Sequence, residues 1–353
     1  MSGVQLIGHG GPEKLVWNDA IPVSQPKAGE ALLQVLAAGV NNTDINTRIG
    51  WYAKEVREAT DASGAGDVEA GGWGGALPFP LIQGGDLCGR VVAVGTGVEE
   101  GLIGRRMICP NVQPAPTADN PMAYRAIGSE YDGAFAQFCA VPVSALYDVT
   151  DAPLSDIELA ALPCAFGTAN GLLFRAGVGA GDRVLVTGAS GGVGMAAVKI
   201  AKLNGAQVTG VTAPAKADAV REAGADSILD RGTPPAPDSV DVVVDVVGGQ
   251  GFPALLDALV PGGRYATSGA IAGPIVELDL RVVYLKDLTL VGSTLQPAEG
   301  FARLVDHINA GQIHPLVSQT YPLSEIARAQ DDFAAKRYPG KLVLIPPELT
   351  HAE

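Results

Sequence analysis

Four glycines, Gly188, Gly191, Gly192 and Gly194, fall just after the apolar run Val184 to Val186 and open a helical pattern. Glycine lets the backbone turn tightly and approach a phosphate with no Cβ in the way. A helix starting there offers free N–H groups and the positive end of its dipole to an anion. The chemistry implied is retention of a dinucleotide pyrophosphate, although Ala189 stands where the first glycine of a G-x-G-x-x-G fingerprint would be. The next strand, Gln207 to Val211, runs into Thr212, where NAD sites place an Asp or Glu on the ribose 2′-hydroxyl. A carboxylate there would repel a 2′-phosphate. Thr212 can instead donate a hydrogen bond, Lys216 can neutralise charge, and Arg231 after the third strand offers a third contact. The expectation is NADPH, bound at least tenfold more tightly than NADH, about 1.4 kcal/mol or more.

These residues need a scaffold. Val193, Ala197 and Ile200 share one helical face that can pack on a sheet, and Asn204-Gly205 is a stop signal. From Asp151 the chain alternates: helix Ser155 to Arg175, strand Val184 to Thr187, helix Val193 to Leu203, strand Gln207 to Val211 and helix Lys216 to Ala223. Strands at Ser227 to Leu229 and Val240 to Val247 follow, then a helix at Phe252 to Leu259 and strands at Arg264 to Thr267 and Leu288 to Gly292. Unbroken Val-rich strands are those of a doubly wound parallel sheet, so residues 151–296 are expected to form a Rossmann domain.

The stretch before residue 150 carries short β-like runs, Val4 to Ile7, Glu30 to Ala37, Gly89 to Val94, Arg106 to Cys109 and Ala136 to Val141, separated by Gly, Pro and Asn. It reads as a compact, mainly β domain. The tail, with a helix at Ser324 to Lys336 and a strand at Lys341 to Ile345, is expected to return to it, giving 1–150 with 297–353. Cofactor and substrate are then expected in a cleft between the two domains.

At 353 residues the chain can fill two cores, and 47% hydrophobic with 18% charged residues is a globular composition. A net charge of −14 disfavours nucleic acid and anionic membranes as partners. No apolar run spans a bilayer and no basic-then-apolar leader opens the chain, so a cytoplasmic protein acting on a small molecule is expected. Cys88, Cys109, Cys139 and Cys164 show no C-x-x-C spacing, as in a reduced compartment without structural zinc. Lys54 to Ala76, acidic and then glycine-rich, reads as a loop.

Several stretches carry a family resemblance: AGVNNTDINTRIGWY (Ala38 to Tyr52), QGGDLCG (Gln83 to Gly89), DGAFAQF (Asp132 to Phe138), LPCAFGTA (Leu162 to Ala169), the Val186 to Gly194 turn and GKLVLI (Gly340 to Ile345). Nearly the whole chain resembles the medium-chain dehydrogenase/reductase superfamily, in its quinone oxidoreductase-like branch. The resemblance implies an α/β architecture, a GroES-like β-rich catalytic domain plus a Rossmann domain, and a homodimer whose Leu288 to Leu295 edges pair. It also implies Ser190, Gly191, Gly192 and Val193 along the pyrophosphate, Thr168 against the nicotinamide, Gly269 and Ala270 at the carboxamide, and Lys216 at a 2′-phosphate.

The zinc branch of that superfamily carries Cys, His and Cys ligands at the positions of Asn41, Gly85 and Cys164. One thiolate cannot replace three protein ligands, so no metal is expected. Without zinc, hydrogen-bond donors must polarise the acceptor. The resemblance puts Asn41 and Tyr52 at the cleft and Thr43 at the proton-relay hydroxyl, with Tyr52 able to donate to an enolate. Asp44 and Arg48, four apart, would form an ion pair on a helix. The Lys54 to Ala76 insertion is either a lid carrying Trp73 or a surface addition, and the surface reading is preferred.

Overall fold

A computed structural model describes residues 1–60 and 71–349; the middle of the Lys54 to Ala76 insertion lies outside them. The described residues form two compact units, one of 1–56, 71–164 and 302–349, the other of 57–60 and 165–301.

The second unit is built on a six-stranded sheet in which every pair is parallel. In space the strands run Ser227–Asp230, Gln207–Thr212, Arg183–Val186, Val240–Asp245, Leu259–Thr267 and Thr289–Gly292. This is the doubly wound order in which the winding direction reverses between the first and fourth strands, and ligands bind at the carboxyl ends there. Val184, Leu185, Val242, Val243 and Val244 are buried, as continuous apolar strands covered on both faces must be. With the β-rich unit beside it in the chain, the architecture is a GroES-like domain plus a Rossmann domain.

Several boundaries differ from expectation for local reasons. The stretch expected as one helix from Ser155 to Arg175 is two, Asp156–Ala160 and Pro163–Arg175. Pro163 has no N–H to continue the first, and its ring excludes the helical conformation from the residue before it. Ser155 and Glu158 form a capping box at the start of the first helix. The helix expected at Lys216 to Ala223 opens as a 3-10 turn, Pro214–Lys216, before Ala217–Glu222. The strand expected to reach Val247 stops at Asp245, whose carboxylate accepts the Val247 and Gly248 N–H groups.

In the first unit the long strand Glu30–Gly39 is the hub, pairing antiparallel with Cys88–Val94, Phe138–Pro142 and Lys341–Ile345. Lys341–Ile345 also pairs in parallel with Val317–Pro322, and the helix Ile326–Ala334 is their crossover. The tail therefore adds two strands to this β unit, one more than its sequence suggested. Leu33, Val35, Phe135, Ala136, Leu342 and Leu344 join its core. The helix Asn42–Ile49 follows the hub strand directly and buries Asp44, Ile45, Asn46, Thr47 and Arg48.

Candidate functional site

In the second unit the glycine turn joins Arg183–Val186 to the helix Gly192–Leu203. Gly188 sits at φ +56°, a left-handed conformation that costs glycine little. At Gly194 a Cβ would lie 2.2 Å from the Gly188 carbonyl oxygen, so only glycine lets this helix approach the turn so closely. Gly191 caps the helix with an extended backbone and no side chain, and the first-turn N–H groups have no intrahelical partners.

Ser190 to Val193, Arg231, Gly269 and Ala270 follow the carboxyl ends of parallel strands and Thr212 is the last residue of one, so the sheet brings them to one edge. Arg231 is tied to Thr212 directly, its N–H donating to the Thr212 carbonyl at 3.2 Å. The Thr168 helix reaches the same edge, since a Cβ at Gly171 would lie 3.1 Å from Ser293 Oγ, just past the sixth strand. The Thr212 and Ser268 hydroxyls are buried and have no hydrogen-bond partner. Unsatisfied hydroxyls, a glycine turn at a helix start and no carboxylate at Thr212 fit a nicotinamide dinucleotide. Lys216, half-buried, stands in the 3-10 turn beyond Thr212.

The first unit contains a buried polar cluster. Lys341 Nζ lies 2.8 Å from Asp86 Oδ2, with both side chains almost fully enclosed, and it also donates to the Val40 carbonyl and to Asn41 Oδ1. Asn41 Nδ2 donates to the same Asp86 oxygen at 2.8 Å, and the Cys164 N–H donates to the other. Asn41 is thus held at both ends of its amide, as a member of a network. Gly85 has room for a side chain, its Cβ position lying 3.5 Å from Asn111 Cβ. Among the described residues, no three of His, Cys, Asp and Glu are grouped as a metal would need.

Thr43 and Tyr52 meet as neighbours, the Tyr52 hydroxyl donating to Thr43 Oγ1 at 3.1 Å. Trp51 and Trp73 each stand edge to face against Tyr52 at 5.6 Å. Burial pushes the Tyr52 phenol up to about 12, against the lowering effect of Thr43. At neutral pH it therefore keeps its proton and acts as a donor.

The expected Asp44–Arg48 ion pair does not form, although both residues are on the helix. Asp44 instead accepts the Asn41 N–H at 2.8 Å and the Gly85 N–H at 3.3 Å, holding the entry of the helix and the adjoining loop. Arg48 donates to Gln330 Oε1 and the Gly10 carbonyl. These partners, N–H donors for Asp44 and oxygen acceptors for Arg48, satisfy both buried groups, which a pair four residues apart on one helix would leave short of partners.

Burial, reinforced by Asp86, pushes the Asp44 carboxyl up to about 7, while the Asn41 N–H and Lys341 oppose the shift. The folded state then holds a proton that the unfolded chain releases near pH 4, about 3.9 for a free Asp. Stability from this group is complete below that value and is lost as pH rises through about 7. Asp44→Asn is expected to flatten the fall in melting temperature between about pH 4 and pH 7. An unchanged slope in melts across that range would mean that Asp44 is ionised throughout.

Lys341 and Asp86 fall in GKLVLI and QGGDLCG, where residue type and spacing alone do not mark them as site residues. The usable signal was a lone lysine beginning an otherwise apolar strand, KLVLI, and a lone acid in QGGDLCG. Charges so placed are enclosed and must find each other.

A family model described as an alcohol dehydrogenase GroES-like domain matches residues 27–151, and one described as zinc-binding dehydrogenase matches residues 223–344. Acryloyl-coenzyme A reductase of Metallosphaera sedula is 29% identical, covering 91% of this chain and 93% of its own. The 2-haloacrylate reductase of a Burkholderia species is 30% identical, covering 96% of both. A solved structure from Sinorhizobium meliloti 1021, described as an alcohol dehydrogenase, is 42% identical and superposes with a TM-score of 0.88 over 98% of this chain and 97% of that one. Together with the parallel six-stranded sheet, these likenesses establish that the chain belongs to the medium-chain dehydrogenase/reductase superfamily and is an oxidoreductase of the nicotinamide-dependent kind.

Proposed function

We propose that this protein is an NADPH-dependent, zinc-independent oxidoreductase that reduces an activated alkene, such as an enone or a related unsaturated carbonyl compound, or a quinone. The domain assignment proposed with it is 1–150 and 297–353 for catalysis and 151–296 for NADPH. Bound there, the reduced nicotinamide supplies a hydride to the electron-poor carbon of the acceptor. Ser190 to Val193 hold the pyrophosphate, Thr168, Gly269 and Ala270 orient the nicotinamide end, and Thr212, Lys216 and Arg231 meet the 2′-phosphate.

The observation that carries the metal-free reading is the fixing of Asn41 by Asp86 and Lys341. The Asn41 amide, committed at both ends to this pair, replaces a thiolate, and Gly85 brings no side chain to a second ligand position. Polarisation then falls to hydroxyl donors. Tyr52, protonated and backed by Thr43, is the proposed donor to the acceptor oxygen, and Asn41 caps the helix whose first turn carries Thr43. The two acrylate-type reductases among the relatives support this acceptor class.

The test is NADPH and NADH consumption over a panel of enones and quinones after dialysis against a chelator. Turnover with NADPH is expected, with KM at least about tenfold lower than for NADH. Turnover that requires stoichiometric zinc would point to an alcohol dehydrogenase instead. Tight NADPH binding with no turnover would leave a binding or sensor protein. Lys216→Ala and Arg231→Ala are each expected to weaken NADPH by about tenfold and to leave NADH unchanged.

A homodimer is part of the proposal. Thr289–Gly292 is an edge strand, and Leu290, Leu280, Tyr284 and Leu285 near it are exposed. An open edge flanked by large apolar side chains is a surface that a second copy can cover. Sedimentation at the mass of a monomer would remove this part.

A further inference from the structure

The second unit contains a buried carboxylate with no assigned role, Asp245, the last residue of the fourth strand and fully enclosed. Its Oδ1 accepts the Thr187 hydroxyl at 2.5 Å and the Val247 N–H at 2.9 Å. Its Oδ2 accepts the Tyr265 hydroxyl at 2.5 Å and the Gly248 N–H at 3.1 Å. These donors are neutral hydroxyl and amide groups. A carboxylate withdrawn from water without a neighbouring cation is expensive to keep, and four donors lower that cost without removing it.

What the four donors have in common is their position. Thr187 is the residue between the first strand and Gly188, where the cofactor turn begins. Tyr265 is on the fifth strand, two residues before its end at Thr267, from which the chain leads to Gly269 and Ala270. Val247 and Gly248 belong to Asp245's own loop, which is tied to the next loop by the Ala272 N–H donating to the Val247 carbonyl at 2.8 Å. Asp245 therefore joins the carboxyl ends of three adjacent strands, two of which flank the reversal of winding. At that reversal the connections leave in opposite directions, so the covalent chain does not set the spacing of the loops.

We propose that Asp245 is a positioning residue for the cofactor: as a carboxylate bonded to Thr187, Tyr265 and its own loop, it sets the glycine turn and the Gly269 loop at the spacing a nicotinamide dinucleotide needs. The inference rests on the dinucleotide reading of the glycine turn. The phenol of Tyr265 is shifted upward by burial first and by its neighbour Asp245 second.

Asp245→Asn keeps the shape but replaces one acceptor oxygen with a donor. Thr187→Val removes one tie at nearly constant volume, and Thr187→Ser keeps the hydroxyl. Fluorescence titration of each folded variant with NADPH and with NADH is the test. Asp245→Asn and Thr187→Val are expected to raise both dissociation constants by about tenfold or more, and Thr187→Ser by less than about threefold. If Asp245→Asn fails to fold, the Thr187 pair carries the comparison. A folded Thr187→Val with wild-type affinity for both cofactors overturns the proposal, even if its melting temperature falls, since a purely structural tie predicts that pattern. Equal wild-type affinity for NADH and NADPH would instead overturn only the NADPH preference, because the turn is common to both.

Discussion

Lys341→Met is expected to destabilise the β-rich unit by about 3 to 5 kcal/mol, because it leaves the Asp86 charge enclosed with no cation to offset it. Asp86 would keep only the Asn41 amide and the Cys164 N–H as donors. All three tryptophans, Trp17, Trp51 and Trp73, belong to this unit, so their fluorescence reports its unfolding separately from the other. For a unit of this size each kcal/mol moves the midpoint by about 2 to 4 °C, so a fall of about 10 °C is expected. Adding Asp86→Asn should recover part of it by removing the orphaned charge. A Lys341→Met melt within about 2 °C of wild type would show that water reaches Asp86 and that the pair is not enclosed in solution.

Gly194→Val is expected to abolish measurable cofactor binding, with a loss of at least about 100-fold, close to 2.7 kcal/mol. Its Cβ would fall 2.2 Å from the Gly188 carbonyl oxygen and 2.7 Å from Ala189 Cα, both of them backbone atoms that no rotamer change can move. The helix would have to retreat from the turn, taking its first N–H groups away from the phosphate. Titration of the folded variant with NADPH is the measurement. Affinity within threefold of wild type would mean that the helix start does not hold the pyrophosphate.

The two units differ in how far their residues announced them. The glycine turn was legible because its signals are local: four glycines within seven residues, a Val-rich strand before them, a helical pattern after them and a stop at Asn204-Gly205. That the strands are parallel followed from the alternation of strand and helix, since each helix returns the chain to the same end of the sheet. The helix break before Pro163 is also a local signal, masked by a periodic pattern that runs on through it. Leu280–Leu285 and Ala298–Asn309 were missed as helices, the first because it leaves large apolar residues exposed and so lacks an ordinary amphipathic pattern.

The β-rich unit was harder to read because its polar contacts join distant segments. Asn41 was anticipated as a donor at the cleft, yet its partners are Asp86 and Lys341, 45 and 300 residues away in the chain. Arg48 was paired with Asp44 by a helical rule, while Gln330, 282 residues on, takes its Nε–H. Spacing rules describe neighbours on one element and carry no information on such pairs. Thr43 and Tyr52, nine residues apart, are close enough in sequence for their meeting to follow from one helix and the turn after it.

The return of the Lys341–Ile345 strand to Glu30–Gly39 also has a consequence for synthesis. Asp86 leaves the ribosome 255 residues before Lys341 does, and at about 5 to 20 residues per second the interval is on the order of tens of seconds. Throughout that time the hub strand lacks one of its antiparallel neighbours and the buried acid lacks its cation. The parallel sheet, by contrast, draws its six strands from one continuous stretch, 183–292, and can close while the β unit is still waiting. Assembly order during translation is thus the reverse of chain order: the segment made first is the last to become a finished domain.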